Sequence, residues 1–321
     1  MKKKVLLLFS EGLDSLLSGK ILAAQGLPVV AVRFITPFFG WSWKGREEEF
    51  GAKLKEHGFE ALVLDITPEY LKMLAAPPHG YGSGFNPCID CKILMLRQAK
   101  ALLPKLGAEI IATGEVVGQR PMSQQRHTLR HIEKETGLIG RILRPLSAKR
   151  LPPTIYEEKG WVDRTRLLDI AGRGRKIQLQ LAREFGLKEI PSPAGGCLLT
   201  DPSLAPRIRD FFQLKKGQVH PREAELLVFG RHFALPKDGW LVIGRNEAEN
   251  KRLLALAREG DLVLKLAEVP GPVGLVLFTT DPEAVLFAAK LLKRYAPKVR
   301  DREGVPVRVI RQGGEEEKIL V

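Results

Sequence analysis

The chain has 321 residues, 44% of them hydrophobic, with 51 Lys and Arg against 37 Asp and Glu, for a formal charge of +14. That length suits about two domains with a substantial core, which excludes a disordered chain, and three cysteines are too few for a disulfide scaffold. The positive excess favours a polyanionic partner, nucleic acid first, although a densely charged thermophile-style surface has the same composition.

In chain order, Lys2, Lys3 and Lys4 precede an apolar run over 5–9 that is too short for a signal segment or a membrane span, so a cytoplasmic location with no membrane partner is expected. The run itself reads as a buried strand. Helical spacing follows over 13–24, then strands at 28–34, 61–66 and 110–113 with helices over 47–57 and 93–106 between them. This alternation predicts an α/β fold with a doubly wound parallel sheet whose ligands bind at the carboxyl ends of the strands. A Pro- and Gly-rich stretch, 191–196, marks a boundary, giving expected domains 1–202 and 203–321. Beyond it, strands at 226–229, 240–243, 262–266, 273–278 and 305–310 and helices over 247–258 and 282–295 predict a second, smaller α/β domain.

The first strand runs into Ser10-Glu11-Gly12-Leu13-Asp14-Ser15 and then directly into a helix. Free backbone N–H groups and the positive end of the helix dipole at such a junction hold phosphate. Gly12 suits a tight turn, Ser10 and Ser15 can donate to phosphate oxygens, and Asp14 suits Mg2+ or the helix start. An ordinary strand-to-helix turn capped by Ser is the plainer reading of these six residues alone.

The loop resembles the Ser-Gly-Gly-x-Asp-Ser signature of the PP-loop ATP pyrophosphatases, which split ATP to AMP and pyrophosphate, and departs from it at Glu11, where that family has Gly. Ala112-Thr113-Gly114 and Gly118-Gln119-Arg120-Pro121-Met122-Ser123-Gln124 resemble elements of the tRNA 4-thiouridine synthetases. These resemblances imply a PP-loop, HUP-like domain that uses ATP and Mg2+, with Thr113, Gly114, Gln119 and Phe34 lining the nucleotide beside the loop.

All three cysteines fall in Gly- or Pro-rich contexts, Asn86-Pro87-Cys88-Ile89-Asp90-Cys91 and Gly196-Cys197, which reads as loop rather than core. A CxxC pair with one remote Cys points to metal or redox work. Three thiolates can hold a [4Fe-4S] cluster with one iron left open; a persulfide resolved by a partner thiol is the other chemistry, and zinc with His79 lacks the usual ligand spacing. The ligand count favours the cluster. The Asn-Pro-Cys-x-x-Cys segment resembles the tRNA 2-thiouridylases, which implies that Cys88, Cys91 and Cys197 are catalytic together with Asp14, that tRNA is the partner, and that sulfide or a persulfide carrier protein donates the sulfur.

Between 120 and 150 basic residues outnumber acids, and Arg120, Arg126, Arg130, Arg144, Lys149 and Arg150 are the expected RNA contacts. Past 203, Arg231, His232, Arg245 and Asn246 stand beside glycines and suit either RNA or hairpin turns and helix caps. That segment resembles the small RNA-binding domain of ribosome quality-control and fibronectin-binding-like proteins. The combined reading is an ATP-dependent tRNA uridine sulfurtransferase. Its rivals are a PP-loop ligase amidating a small molecule and a non-catalytic RNA-binding protein with a structural metal site.

Overall fold

A computed structural model describes residues 2–190, 196–311 and 314–321. The expected boundary stretch over 191–195 lies outside the described residues. The chain divides into two compact units, Met1–Ala205 and Pro206–Val321. No helix among the described residues is long and apolar enough to cross a membrane.

The first unit is a parallel sheet of five strands, β1 (Val5–Leu8), β2 (Val29–Ile35), β3 (Glu60–Asp65), β4 (Ile110–Thr113) and β5 (Ile142–Leu143), in the order β3-β2-β1-β4-β5. The central strands β1 and β4 are buried along their whole length because helices cover both faces, which is why they are nearly unbroken apolar runs rather than alternating ones. The helices are α1 (Leu13–Ala24), α2 (Glu47–Lys55), α3 (Thr67–Ala75), α4 (Cys88–Leu106), α5 (Arg126–Thr136), α6 (Ile155–Glu158) and α7 (Lys176–Glu184). The chain winds outward from β1 to β3, then returns to place β4 on the other side of β1. The reversal of direction falls between β1 and β4, and in such sheets the crevice beyond those two carboxyl ends is where ligands bind.

α4 begins five residues earlier than the apolar spacing predicts, and the difference moves the CxxC pair. Pro87 occupies the N-cap, so Cys88 and Cys91 stand on the first turn of a helix, not in a loop. In sequence Pro87 reads as a loop residue, whereas proline is tolerated at a helix start, where no N–H partner is lost.

The second unit carries an antiparallel sheet of six strands, β6 (Arg231–Ala234), β7 (Trp240–Ile243), β8 (Leu262–Leu266), β9 (Gly274–Leu277), β10 (Pro306–Arg311) and β11 (Glu316–Leu320), ordered β11-β10-β8-β9-β7-β6. Helices α8 (Ala205–Leu214), α9 (Pro221–Leu226), α10 (Glu247–Leu256) and α11 (Pro282–Arg294) accompany it. Residues 226–229, expected as a strand, form the end of α9 and a turn; the strand starts at Arg231. β11 has no counterpart among the expected strands because it is an edge strand of mostly exposed, charged residues with no apolar alternation.

The end of β4 approaches the start of α1 so closely that a Cβ at Gly114 would lie 2.5 Å from the Ser15 backbone nitrogen. Gly114→Ala therefore forces backbone against backbone. A loss of about 1–3 kcal/mol is expected, read by chemical denaturation, against a neutral to slightly stabilising result for alanine at the open, unstrained Gly51 of α2.

Candidate functional site

The crevice at the β1/β4 reversal is a cavity of about 550 Å³. Ser10, Asp14, Ser15, Phe34, Thr113, Gly114 and Gln119 line it, and so do Cys88, Cys91 and Cys197. All the expected nucleotide residues except Gly12 therefore share one cavity with the three expected sulfur residues.

The Ser10–Ser15 loop closes on itself. The Ser15 hydroxyl, 2% exposed, donates to the Gly12 carbonyl at 2.8 Å and accepts from the Ser10 backbone N–H at 3.3 Å. Gly12, expected to supply the tight turn, has an extended conformation as the N-cap of α1. The left-handed residue is Glu11, at φ 65°, which glycine adopts without penalty and glutamate does not. The Glu11 carboxylate lies 3.3 Å from the Arg33 guanidinium and 4.0 Å from the Lys53 amine. Arg33, on β2, borders the same cavity, and its buried Nε has no partner among the described residues. Asp14 takes a 2.9 Å hydrogen bond from the Gln119 amide on one carboxylate oxygen, while the other is buried without a partner among the described residues.

Helix geometry places Cys88 and Cys91 three residues apart on one face of α4. Cys197 reaches them because its segment is pinned at two points: Leu198 N–H bonds the Phe38 carbonyl at 2.9 Å, and Phe85 N–H bonds the Leu199 carbonyl at 3.1 Å. None of the three is in a disulfide. The Asn86 amide is oriented by its neighbours: its carbonyl accepts the Gly84 N–H at 3.1 Å, so its NH2 donates to the Cys88 sulfur at 3.1 Å. Tyr70, 1% exposed, borders the cavity, and its hydroxyl is hydrogen-bonded with the Cys91 sulfur. Burial, then the charge of Cys197, pushes the Cys91 thiol up to about 12, and burial pushes Cys197 up to about 11.

Behind the cysteines lies an ionic chain that sequence reasoning missed. Glu115, 3% exposed, accepts from Arg144 at 3.0 Å and from the Thr113 hydroxyl at 3.1 Å, and pairs with Lys92 at 3.4 Å; Arg144 also pairs with Glu133. Burial works against the Glu115 charge, but Lys92 and Arg144 outweigh it and hold its carboxyl below the usual range. Lys92 directly after the CxxC, and a single acid in the apolar stretch after Gly114, are the signals that pointed here. Arg144, expected to touch RNA, is corrected: it is 3% exposed and spent on two carboxylates inside the unit. Arg126 and Arg130 lie exposed on α5, Arg120 is exposed at the cavity, and exposed Lys149 and Arg150 brace the Thr165 and Asp169 carbonyls.

In the second unit the same residues make packing and capping contacts. His232 bonds the Phe229 carbonyl at 2.7 Å and accepts from Trp240 at 3.0 Å, and burial, then Arg207, pushes it down to about 3. Arg245 pairs with Glu249 and Asn246 caps α10.

Fold and site together define a doubly wound parallel α/β domain with a strand-to-helix loop and a cysteine set in its crevice, and an antiparallel domain after it in the chain. Residues 1–150 match the family described as thiamine biosynthesis protein (ThiI), and residues 230–321 match the NFACT protein RNA binding domain, in line with both resemblances read from the sequence. No curated protein matches the chain. Among solved structures, a 4-thiouridine synthetase in complex with RNA and ATP is 19% identical over 70% of this chain, with a TM-score of 0.39; the chain spans 53% of that protein's length. NMN synthetase from Francisella tularensis is 14% identical over 71% of this chain and 84% of its own, with a TM-score of 0.36. The C-terminal part of the fibronectin/fibrinogen-binding protein from Streptococcus suis is 16% identical over 45% of this chain and 74% of its own, with a TM-score of 0.26.

Two outcomes follow from the site's electrostatics. Arg144→Met leaves Glu115 and Glu133 without their buried partner and is expected to cost about 3–5 kcal/mol in urea denaturation. Because the Glu115 carboxyl is held low in the folded chain, its contribution is present above the ordinary carboxylate range and fades as pH falls through its folded value, so the deficit of the variant shrinks in acid. The thiols have the opposite sign: the fold favours their neutral form below the ordinary thiol value and loses that advantage as pH rises toward 11 and 12. In iron-free protein at pH 8, Cys91 and Cys197 should be alkylated by iodoacetamide at least about tenfold more slowly than in urea, as mass spectrometry of the labelled peptides would reveal.

Proposed function

We propose that the chain is an ATP-dependent tRNA uridine sulfurtransferase. The observation that carries this reading is the single cavity shared by the Ser10–Ser15 loop, the Thr113–Gly114 strand end and all three cysteines of the chain. Family likeness supports ATP as co-substrate and tRNA as partner.

The start of α1 and the loop amides hold the pyrophosphate portion of ATP, where free N–H groups and the helix dipole favour negative charge. The Asp14 carboxylate oxygen that has no partner among the described residues suits Mg2+, and Gln119 holds the other oxygen of that carboxylate. Exposed Arg126 and Arg130 on α5, with Arg120 at the cavity, offer charge for the tRNA backbone. A uracil carbonyl oxygen attacks the α-phosphorus and pyrophosphate departs; sulfide from the donor then attacks the activated carbon, and its C–O bond breaks to release AMP.

Among the described residues no three His, Cys, Asp or Glu side chains converge as ligands of one metal ion. A cubane makes a different demand, since its cysteines bind separate irons around a volume, and three cysteines lining one cavity support that reading. Cys88, Cys91 and Cys197 would hold such a [4Fe-4S] cluster, which supplies an iron free of protein ligands for sulfur chemistry. Binding would release the protons that burial keeps on Cys91 and Cys197. The same protons weigh against a persulfide route, which needs a ready thiolate.

Protein purified without oxygen should contain about four iron and four sulfide per chain. With ATP and unmodified tRNA it should release AMP and yield a thiouridine seen by nucleoside mass spectrometry. Cys197→Ala should abolish the thiouridine while ATP–pyrophosphate exchange survives. Thiolation by the Cys197→Ala variant, or AMP release indifferent to RNA, would sink the proposal.

A further inference from the structure

We propose that the second unit takes an RNA strand on the outer face of α11, with backbone phosphates seated at the helix's carboxyl end and a base stacked on Phe287. The proposal rests on the reading of the chain as an RNA-modifying enzyme for the identity of the polyanion. The placement comes from the structure alone.

α11 buries Ala284, Val285, Ala288, Ala289 and Leu292 against its own sheet. The opposite face presents Leu286 and Phe287, 38% and 45% exposed, followed at helical spacing by Lys290, Lys293 and Arg294. These three cations and Arg300, from the segment after the helix, line a cavity of about 570 Å³. Asp301 supplies the one acidic side chain among its described lining residues, and it pairs with Arg300 at 3.0 Å. Lys293 donates to the main-chain oxygen of Val321, and among the described residues no Asp or Glu side chain pairs with Lys290, Lys293 or Arg294. Complementing the helix dipole explains cations in the last turn, but not Arg300 beyond it, nor an exposed phenyl ring one turn earlier.

Cations in excess of acids around a concave surface attract an anion, and their spread along more than a helical turn suits successive phosphates better than a single one. An exposed aromatic beside them is the arrangement on which single-stranded bases stack. Arg231, His232, Arg245 and Asn246 are spent on packing and caps, so the cation-lined face of α11 is the better-equipped surface of this unit for RNA.

The test is fluorescence anisotropy of the full chain with a labelled unmodified tRNA and with a labelled single-stranded oligonucleotide, over a series of salt concentrations. Lys290→Ala/Arg294→Ala/Arg300→Ala should lower the slope of log K against log salt by about two, since each phosphate that a cation neutralises accounts for about 0.7–0.9 of that slope. Phe287→Ala should weaken binding about tenfold with the slope unchanged, because stacking is not electrostatic. Lys251→Ala, which removes one positive charge on α10, should bind as wild type where Lys290→Ala alone, an equal loss of charge on α11, weakens binding, and thermal melting checks that every variant is folded. If the α11 variants match wild type while Arg126→Ala/Arg130→Ala binds weakly, the α11 site is wrong and the sulfurtransferase reading stands. If ATP competes with the strand at this face, or Lys251→Ala weakens binding as much as each α11 change, the strand site is overturned. If the wild type binds no RNA, both readings fall.

Discussion

The site depends on one close approach, that of the end of β4 to the first turn of α1. Gly114 leaves no room for a side chain between them, so the turn after β4 and the Ser10–Ser15 loop behave as one surface. The Gln119 to Asp14 hydrogen bond ties the same two segments a second time. A parallel sheet whose order reverses between β1 and β4 makes this approach possible, because both strands end on the same edge. Had β4 added beyond β3, Thr113 and Ser15 would lie three strands apart.

The cysteines are held to that surface by different means. α4 delivers two of them from one helical turn, and two backbone hydrogen bonds deliver the third from a segment more than one hundred residues on. The ionic chain from Lys92 through Glu115 and Arg144 to Glu133 joins α4, the β4 turn, the β5 region and α5. Buried charges of this kind stabilise little on balance, but removing one member is costly, so the chain fixes position more than it adds stability.

The parallel sheet and the location of its crevice were readable because long apolar runs alternate with helical spacing. The Ser10–Ser15 strand-to-helix loop was readable for the same reason, since its six residues sit between two strong local signals. The CxxC helix start was not, because proline before it carries the same letter in a loop and at an N-cap. Nor was the fate of Arg144: a charged residue in a basic stretch reads as surface until the acids at 115 and 133, distant in sequence, are brought against it. β11 failed for want of a buried face to impose a period of two. At residue 11, departure from a glycine pattern was visible in sequence, but only the backbone angle shows that this position, rather than Gly12, carries the left-handed turn.

Asn86 has an effect that reaches past its own loop. With its carbonyl committed to the Gly84 N–H, its amino group can offer only hydrogen to Cys88, while Cys91 meets a phenol and Cys197 meets backbone amides of its short helical turn. The three sulfurs are chemically inequivalent before anything binds them. A group bound among them would therefore meet three different sulfur environments, each set by an unrelated piece of backbone.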